Sequence, residues 1–280
     1  MDQAERLRAI AYNNGTQNKT KVLSVTSGKG GVGKTNIAVN MATHFARKGL
    51  KVLLIDADLG LANADLLLGV RATLSIDDIM FGEAKIEDIF VPTPAGFLLL
   101  PGSSGVRRML ELDSFSQRVL FDRLFEAMQA FDVVLYDTAP GIGNHVLNFN
   151  VAAHEIIVVS HPELTSLTDA YALIKVLAQE RREKRFRLII NRTRNANEGL
   201  DSFRKLTAVA DEFLNISIDY MGYLPEDAAV QAAVRKQRPV TLDAPRSSFT
   251  LALNRICDKL LATSPQLGAK NLWDNCALGQ

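Results

Sequence analysis

The chain has 280 residues, 47% hydrophobic and 22% charged, with 32 Lys and Arg against 31 Asp and Glu. That composition is globular and long enough to bury roughly three quarters of the extended surface, as one large α/β domain or two small ones. Only Cys257 and Cys276 occur, which excludes a disulfide framework and fits a reducing cytoplasm; no apolar run approaches the ~20 residues of a membrane span, and a net charge near neutrality argues against coating nucleic acid through bulk charge.

In chain order, residues 2–12 read as a short amphipathic helix with Asp2 as N-cap and Ala4, Leu7, Ile10 and Ala11 on one face, tethered by the turn-rich NNGTQNKT. The opening MDQAERLRAI is too polar and acidic for a signal peptide. Short β-branched runs then alternate with longer helical patterns. This predicts βαβ units, hence an α/β fold with a doubly wound, mainly parallel sheet flanked by helices. Strands are expected at 21–27, 51–57, 96–102, 132–138, 155–161, 186–192 and 216–224. Several lack polar alternation, as strands covered on both faces do. Helical stripes run through 34–48 (Ile37, Ala38, Met41, Ala42, Phe45, Ala46, closed by a C′ Gly49), 114–130 (Phe115, Val119, Leu124, Phe125, Met128) and 246–262 (Phe249, Leu253, Ile256, Leu260). With no repeat or Pro-rich linker, the expected organisation is an N-terminal helix and tether (1–20), one domain (21–263) and a tail (264–280).

The sharpest motif is GKGGVGKT, Gly28 to Thr35, which satisfies G-x-x-x-x-G-K-[ST] between a strand and a helix, the context that confirms a P-loop. Gly28, Gly30, Gly31 and Gly33 let backbone N–H groups curl around phosphate oxygens, and the following helix adds its positive end. Lys34 is expected to neutralise the β- and γ-phosphates, and the Thr35 hydroxyl to ligate Mg²⁺. Carboxylates for the metal and the attacking water stand at two strand ends, in DADLGLAN (Asp56 to Asn63) and LYDTAPG. Asp137 is the candidate to hold Mg²⁺ through water, Asp58 to position the hydrolytic water, with Asp56 supporting. Capping of the following segment is the alternative for each strand-end Asp.

Lys29 adds a second lysine to an ordinary P-loop. KGGVGKT, with DADLGLAN and LYDTAPG, resembles the deviant Walker A ATPases of the MinD/ParA type over residues 20–260. The resemblance implies that Lys29 crosses the interface of an ATP-sandwiched homodimer, and that weak ATP hydrolysis acts as a dimerisation switch, with Lys29, Lys34 and Asp58 as catalytic residues. It carries nucleotide contacts onto Gly28, Lys29, Gly30, Gly31, Val32, Gly33, Lys34, Thr35 and Asn36. Two strand ends are implied to hold the adenine: Asn191, and Leu224, Pro225, Glu226 and Asp227. Without the resemblance, the segment 225–227 reads as a helix start. Glu155 resembles a position that contacts the partner's nucleotide, and Thr35, Asp137 and Asp56 form the implied metal set.

Three branches share this ATPase and differ in output. A division-site MinD-like protein needs a basic amphipathic tail, but SPQLGAKNLWDNCALGQ carries one Lys against one Asp, so membrane association is expected to be peripheral at most. A DNA-partitioning ParA-like protein needs basic surface. RREKRFR (181–187) has five basic residues and one acidic, yet it joins a helix to a strand, where a solvated edge is the plainer reading; strong direct nucleic-acid binding is not expected. DQAERLR is similar to the DQAxxLR segment of the flagellar-number regulators, the FlhG/FleN subfamily. That similarity implies a cytoplasmic switch that antagonises the activator FleQ and engages the GTPase FlhF through Asp2, Gln3, Leu7 and Arg8, with recruitment to a cell pole left open.

Overall fold

The computed structural model describes residues 20–58, 63–80, 82, 84–102 and 106–263. The expected N-terminal helix with Asp2, Gln3, Leu7 and Arg8, and the tail from Ser264, lie outside them. Among the described residues eight strands form one sheet: β1 Lys21–Thr26, β2 Val52–Ala57, β3 Val91–Pro92, β4 Leu98–Leu100, β5 Val133–Thr138, β6 Glu155–Ser160, β7 Arg185–Thr193 and β8 Ser217–Pro225. Their order is β3-β4-β2-β5-β1-β6-β7-β8. All neighbours are parallel except β3 with β4. The helices are α1 Lys34–Arg47, α2 Ala64–Leu68, α3 Ile76–Met80, α4 Arg107–Leu110, α5 Ser114–Met128, α6 Asn144–Ala152, α7 Leu164–Glu180, α8 Ala196–Phe213, α9 Ala228–Arg235, α10 Val240–Asp243 and α11 Ser248–Ala262, with a 3₁₀ turn at Ile86–Ile89. None is long and apolar enough to cross a membrane.

The sheet is covered on both faces because successive strand residues point to opposite sides. Leu23, Val25, Leu54 and Leu135 face α1 and α11, packing on Ile37, Met41, Phe45, Leu253 and Ile256. Val22, Leu53, Ile55, Val134 and Tyr136 face the other way, onto Leu120, Phe121, Leu124 and Phe149 of α5 and α6, while Ile156, Val158, Leu188 and Ile190 pack on α7. Each such aliphatic side chain contributes about 1.5–3 kcal/mol by leaving water. Helix ends follow local chemistry: Asp113 accepts from the N–H groups of Phe115 and Ser116, Asn195 from Glu198 and Ser247 from Thr250.

The expected strands and the long helices are present with shifted ends. The stripe on α5 holds in part: Leu124 and Met128 are buried as expected, Phe115 is 78% exposed, and Leu120 and Phe121 take the remaining inward positions. The antiparallel β3–β4 pair has only two matched positions, too short for a period to register in sequence. Leu224 is fully buried among Leu253 and Ile256, so its side chain belongs to the core and not to a base pocket.

Candidate nucleotide site

Strand order places the site. β1 lies at the centre, flanked by β5 and β6, and the chain works outward on one side of it before returning and leaving on the other. In open α/β sheets the crevice at that reversal, outside the strands' carboxyl ends, is where ligands sit. The glycine loop follows β1 at that point and runs into α1. Gly28 backs onto α7 so closely that a Cβ there would lie 2.0 Å from the Asp169 carbonyl oxygen. Gly33, the N-cap of α1, has φ of 93°, and a Cβ there would lie 2.7 Å from the Asn191 amide nitrogen. A side chain at either position would force the loop out of this curl.

Lys34 is the first residue of α1 and is buried, with Nζ 3.0 Å from Ser27 Oγ. Burial lowers its pKa, and the charges of Asp137 and Asp58 pull it back up. Asp56 and Asp137 are directly opposed on β2 and β5, both essentially without solvent contact. Asp56 accepts from the backbone N–H groups of Asp58 (3.1 Å), Asn63 (3.2 Å) and Ala64 (3.2 Å), so it fixes the backbone at Asp58 and at the start of α2. Neither oxygen of Asp137 closes a hydrogen bond. Burial raises the Asp137 pKa, as does Asp56; the Thr35 hydroxyl, which faces it outside hydrogen-bond geometry, and Lys34 oppose. Asp56 is likewise raised, by burial first. Two buried carboxylates beside a single ammonium call for a proton or a cation. The orphaned Asp137 oxygens, close to Thr35, fit a hydrated Mg²⁺.

Lys29 lies outside this cluster. Its side chain is 43% exposed, with the ammonium 3.7 Å from the Glu163 carboxylate and donating to Thr165 Oγ1 at 3.1 Å. Beyond Gly33 and Asn36 a cavity of about 460 Å³ opens, lined also by Asn191, Arg192, Pro225, Glu226, Asp227 and Arg235. The two strand ends assigned to the adenine therefore meet beside the glycine loop. Asn191 Nδ2 donates to the Val32 carbonyl at 2.8 Å. Asp227 is also a cap: it accepts from Ala229 N and from Ser248 Oγ at 2.7 Å, tying α9 to the start of α11.

Glu155 requires correction. It is the first residue of β6, opposite Leu23 of β1, roughly five residues or ~16 Å from the carboxyl end where the glycine loop lies. Its carboxylate is buried between Lys21 (2.8 Å) and Arg187 (3.0 Å), which makes it a structural ion pair at the far end of the sheet. Sequence reasoning also missed Ser27, His161, Glu163 and Thr165. His161, whose Nε2 sits 3.2 Å from the Val32 carbonyl, and Glu163 follow β6, the third strand end beside the loop. Position just past a strand neighbouring β1 was the signal that could have found them.

Comparison with known proteins agrees with this geometry. A family model described as an AAA domain matches residues 20–190. The antiactivator FleN of Pseudomonas aeruginosa is 41% identical over 246 residues, covering 88% of each chain. The chain belongs to the MinD/ParA-type ATPases, in the FlhG/FleN subfamily. This ATPase is also 32% identical to the flagellum site-determining protein YlxH of Helicobacter pylori, over 89% of this chain and 84% of the other. Its fold matches the septum site-determining protein MinD complexed with Mg-ADP from Pyrococcus horikoshii, with a TM-score of 0.67, 25% identity and coverage of 86% and 96%.

Proposed function

We propose that this ATPase is an ATP-dependent dimerisation switch that limits flagellar number. Phosphates sit in the loop 28–35 against Lys34, and the base sits in the cavity between Asn191 and the segment Pro225–Glu226. Thr35 and Asp137 hold a hydrated Mg²⁺, which supplies charge neutralisation at the phosphates. Asp58 orients the attacking water, with its backbone N–H held by Asp56. In the homodimer Lys29 leaves Glu163 and Thr165 and reaches the phosphates bound to the second copy.

The observation that carries this reading is the pair of lysines in one loop with opposite placements: Lys34 buried on Ser27, Lys29 at the surface on exposed partners. A lysine already in the loop makes the second redundant in cis and available in trans. The output is proposed from the relatives named an antiactivator and a flagellum site-determining protein: antagonism of a FleQ-type activator, and engagement of an FlhF-type GTPase through Asp2, Gln3, Leu7 and Arg8, with recruitment to a cell pole. Within the basic stretch 181–187, Arg187 is committed to Glu155 and to Asp219 at 2.6 Å, which lowers the free positive charge the stretch can offer nucleic acid.

Affinity capture from the native cell with an Asp58→Ala variant, which holds the ATP dimer, tests the reading. Recovery of the activator or the GTPase, with increased flagellar number in a deletion strain, supports it. Recovery of neither, with normal flagellation, contradicts it.

A further inference from the structure

A second cavity, of about 500 Å³, lies on the α5 face of the sheet, between the 3₁₀ turn and the C-terminal half of α5. Its floor is apolar, formed by Ile86, Phe90, Leu98 and Phe131, and its rim carries both signs of charge, with Arg123 beside Glu126. The groove is remote from the nucleotide loop, and none of its residues takes part in the chemistry above. An apolar hollow of this size on a folded domain marks a place where something else packs.

Where the chain enters the fold indicates the occupant. Thr20 is buried, and its hydroxyl donates to the carbonyl of Phe131 at 2.9 Å, while Lys21 N donates to Asp132 O at 2.8 Å. The preceding segment therefore starts at the edge of the groove, beside one of its floor residues. Residues 13–19 are polar and turn-rich, and seven residues reach at most ~25 Å. Residues 2–12 carry Ala4, Leu7, Ile10 and Ala11 at helical spacing, flanked by Glu5, Arg6 and Arg8, a mixed-charge border that matches the mixed rim. A short polar tether holds such a segment near its own groove at an effective concentration on the order of millimolar.

We propose that residues 2–12 dock as an amphipathic helix into this groove of their own chain, with Leu7 and Ile10 on the apolar floor. The docked helix hides the apolar face that partner recognition would use, so a partner has to draw it out. The docking goes beyond the flagellar reading and stands or falls separately, because a segment can engage a GTPase whether or not it is stored in cis.

The test uses the full chain in a Cys276→Ser background, since Cys257 is buried and its thiol is pushed up by burial. A reporter thiol is introduced on the exposed groove rim as Ala130→Cys, and the rate of its alkylation is measured. Against a variant that also carries Leu7→Asp and Ile10→Asp, the intact segment is expected to slow labelling at least tenfold, unchanged on tenfold dilution of the protein. The same comparison with the thiol on α8, as Glu212→Cys, is expected to show no difference. Equal rates with and without the Asp pair overturn the proposal. Protection that fades on dilution also overturns it, and assigns the groove to a second copy.

Discussion

At the carboxyl ends of β1 and β5, Lys34 and Asp137 are buried and incompletely partnered: the lysine has one serine hydroxyl, and the aspartate has no closed hydrogen bond. At the amino ends of β1 and β6, Lys21 is buried to a similar extent, Glu155 is largely buried with 10% of its side chain exposed, and both are fully engaged. Lys21 pairs with Glu155 and donates to the carbonyls of Leu260 and Thr263, closing the end of α11, while Glu155 also holds Arg187. The same sheet buries a lysine and a carboxylate at each end and uses them oppositely. Satisfied charge holds helix to sheet; unsatisfied charge waits for phosphate and metal. Burial alone does not mark a functional charge, and the state of its partners does.

Substitutions at the two ends should separate these uses. The largest effect is expected for Lys34→Ala, which removes the buried counter-charge for the phosphates: nucleotide affinity, read by titration calorimetry, should fall by about 100-fold or more, with the fold retained by circular dichroism. Next comes a matched pair. Glu155→Gln leaves Lys21 and Arg187 without their shared carboxylate, and should cost about 3–5 kcal/mol in denaturant unfolding while ATP turnover per folded molecule stays normal. Asp137→Asn should do the reverse, abolishing turnover while unfolding stability is unchanged or higher, because a buried and poorly satisfied carboxylate is removed. If Glu155→Gln abolished turnover in folded protein, the division between the ends would fail. The smallest effect is expected for Asp219→Asn: its carboxylate is half exposed, so its bond to Arg187 should contribute no more than about 1 kcal/mol.

Much of this was legible in sequence where local chemistry decides it. The glycine loop between strand and helix, the strand-end carboxylates and the apolar strands each carry their own signature. What stayed hidden depended on which strands become neighbours and on which end of a strand faces the site. Glu155 opens its strand and Asp137 stands one residue before the end of its own, and only the direction of the sheet tells a structural carboxylate from one beside the loop. Leu224 follows the same logic across the strand, since its inward direction is set by the pairing of β8 with β7. The contacts of Lys29 with Glu163 and Thr165 join residues more than 130 apart in sequence, so no spacing could announce them. The short helices α2, α3, α4 and α10 have only four or five residues, too few for a helical period to show.

The central proposition, that Lys29 works in trans while Lys34 works in cis, is tested most directly by sedimentation velocity with ATP and Mg²⁺. The Asp58→Ala protein should sediment as a dimer. Adding Lys29→Ala should return it to monomer, with ATP affinity for the monomer unchanged. An equal dimer fraction with and without Lys29 would contradict the account.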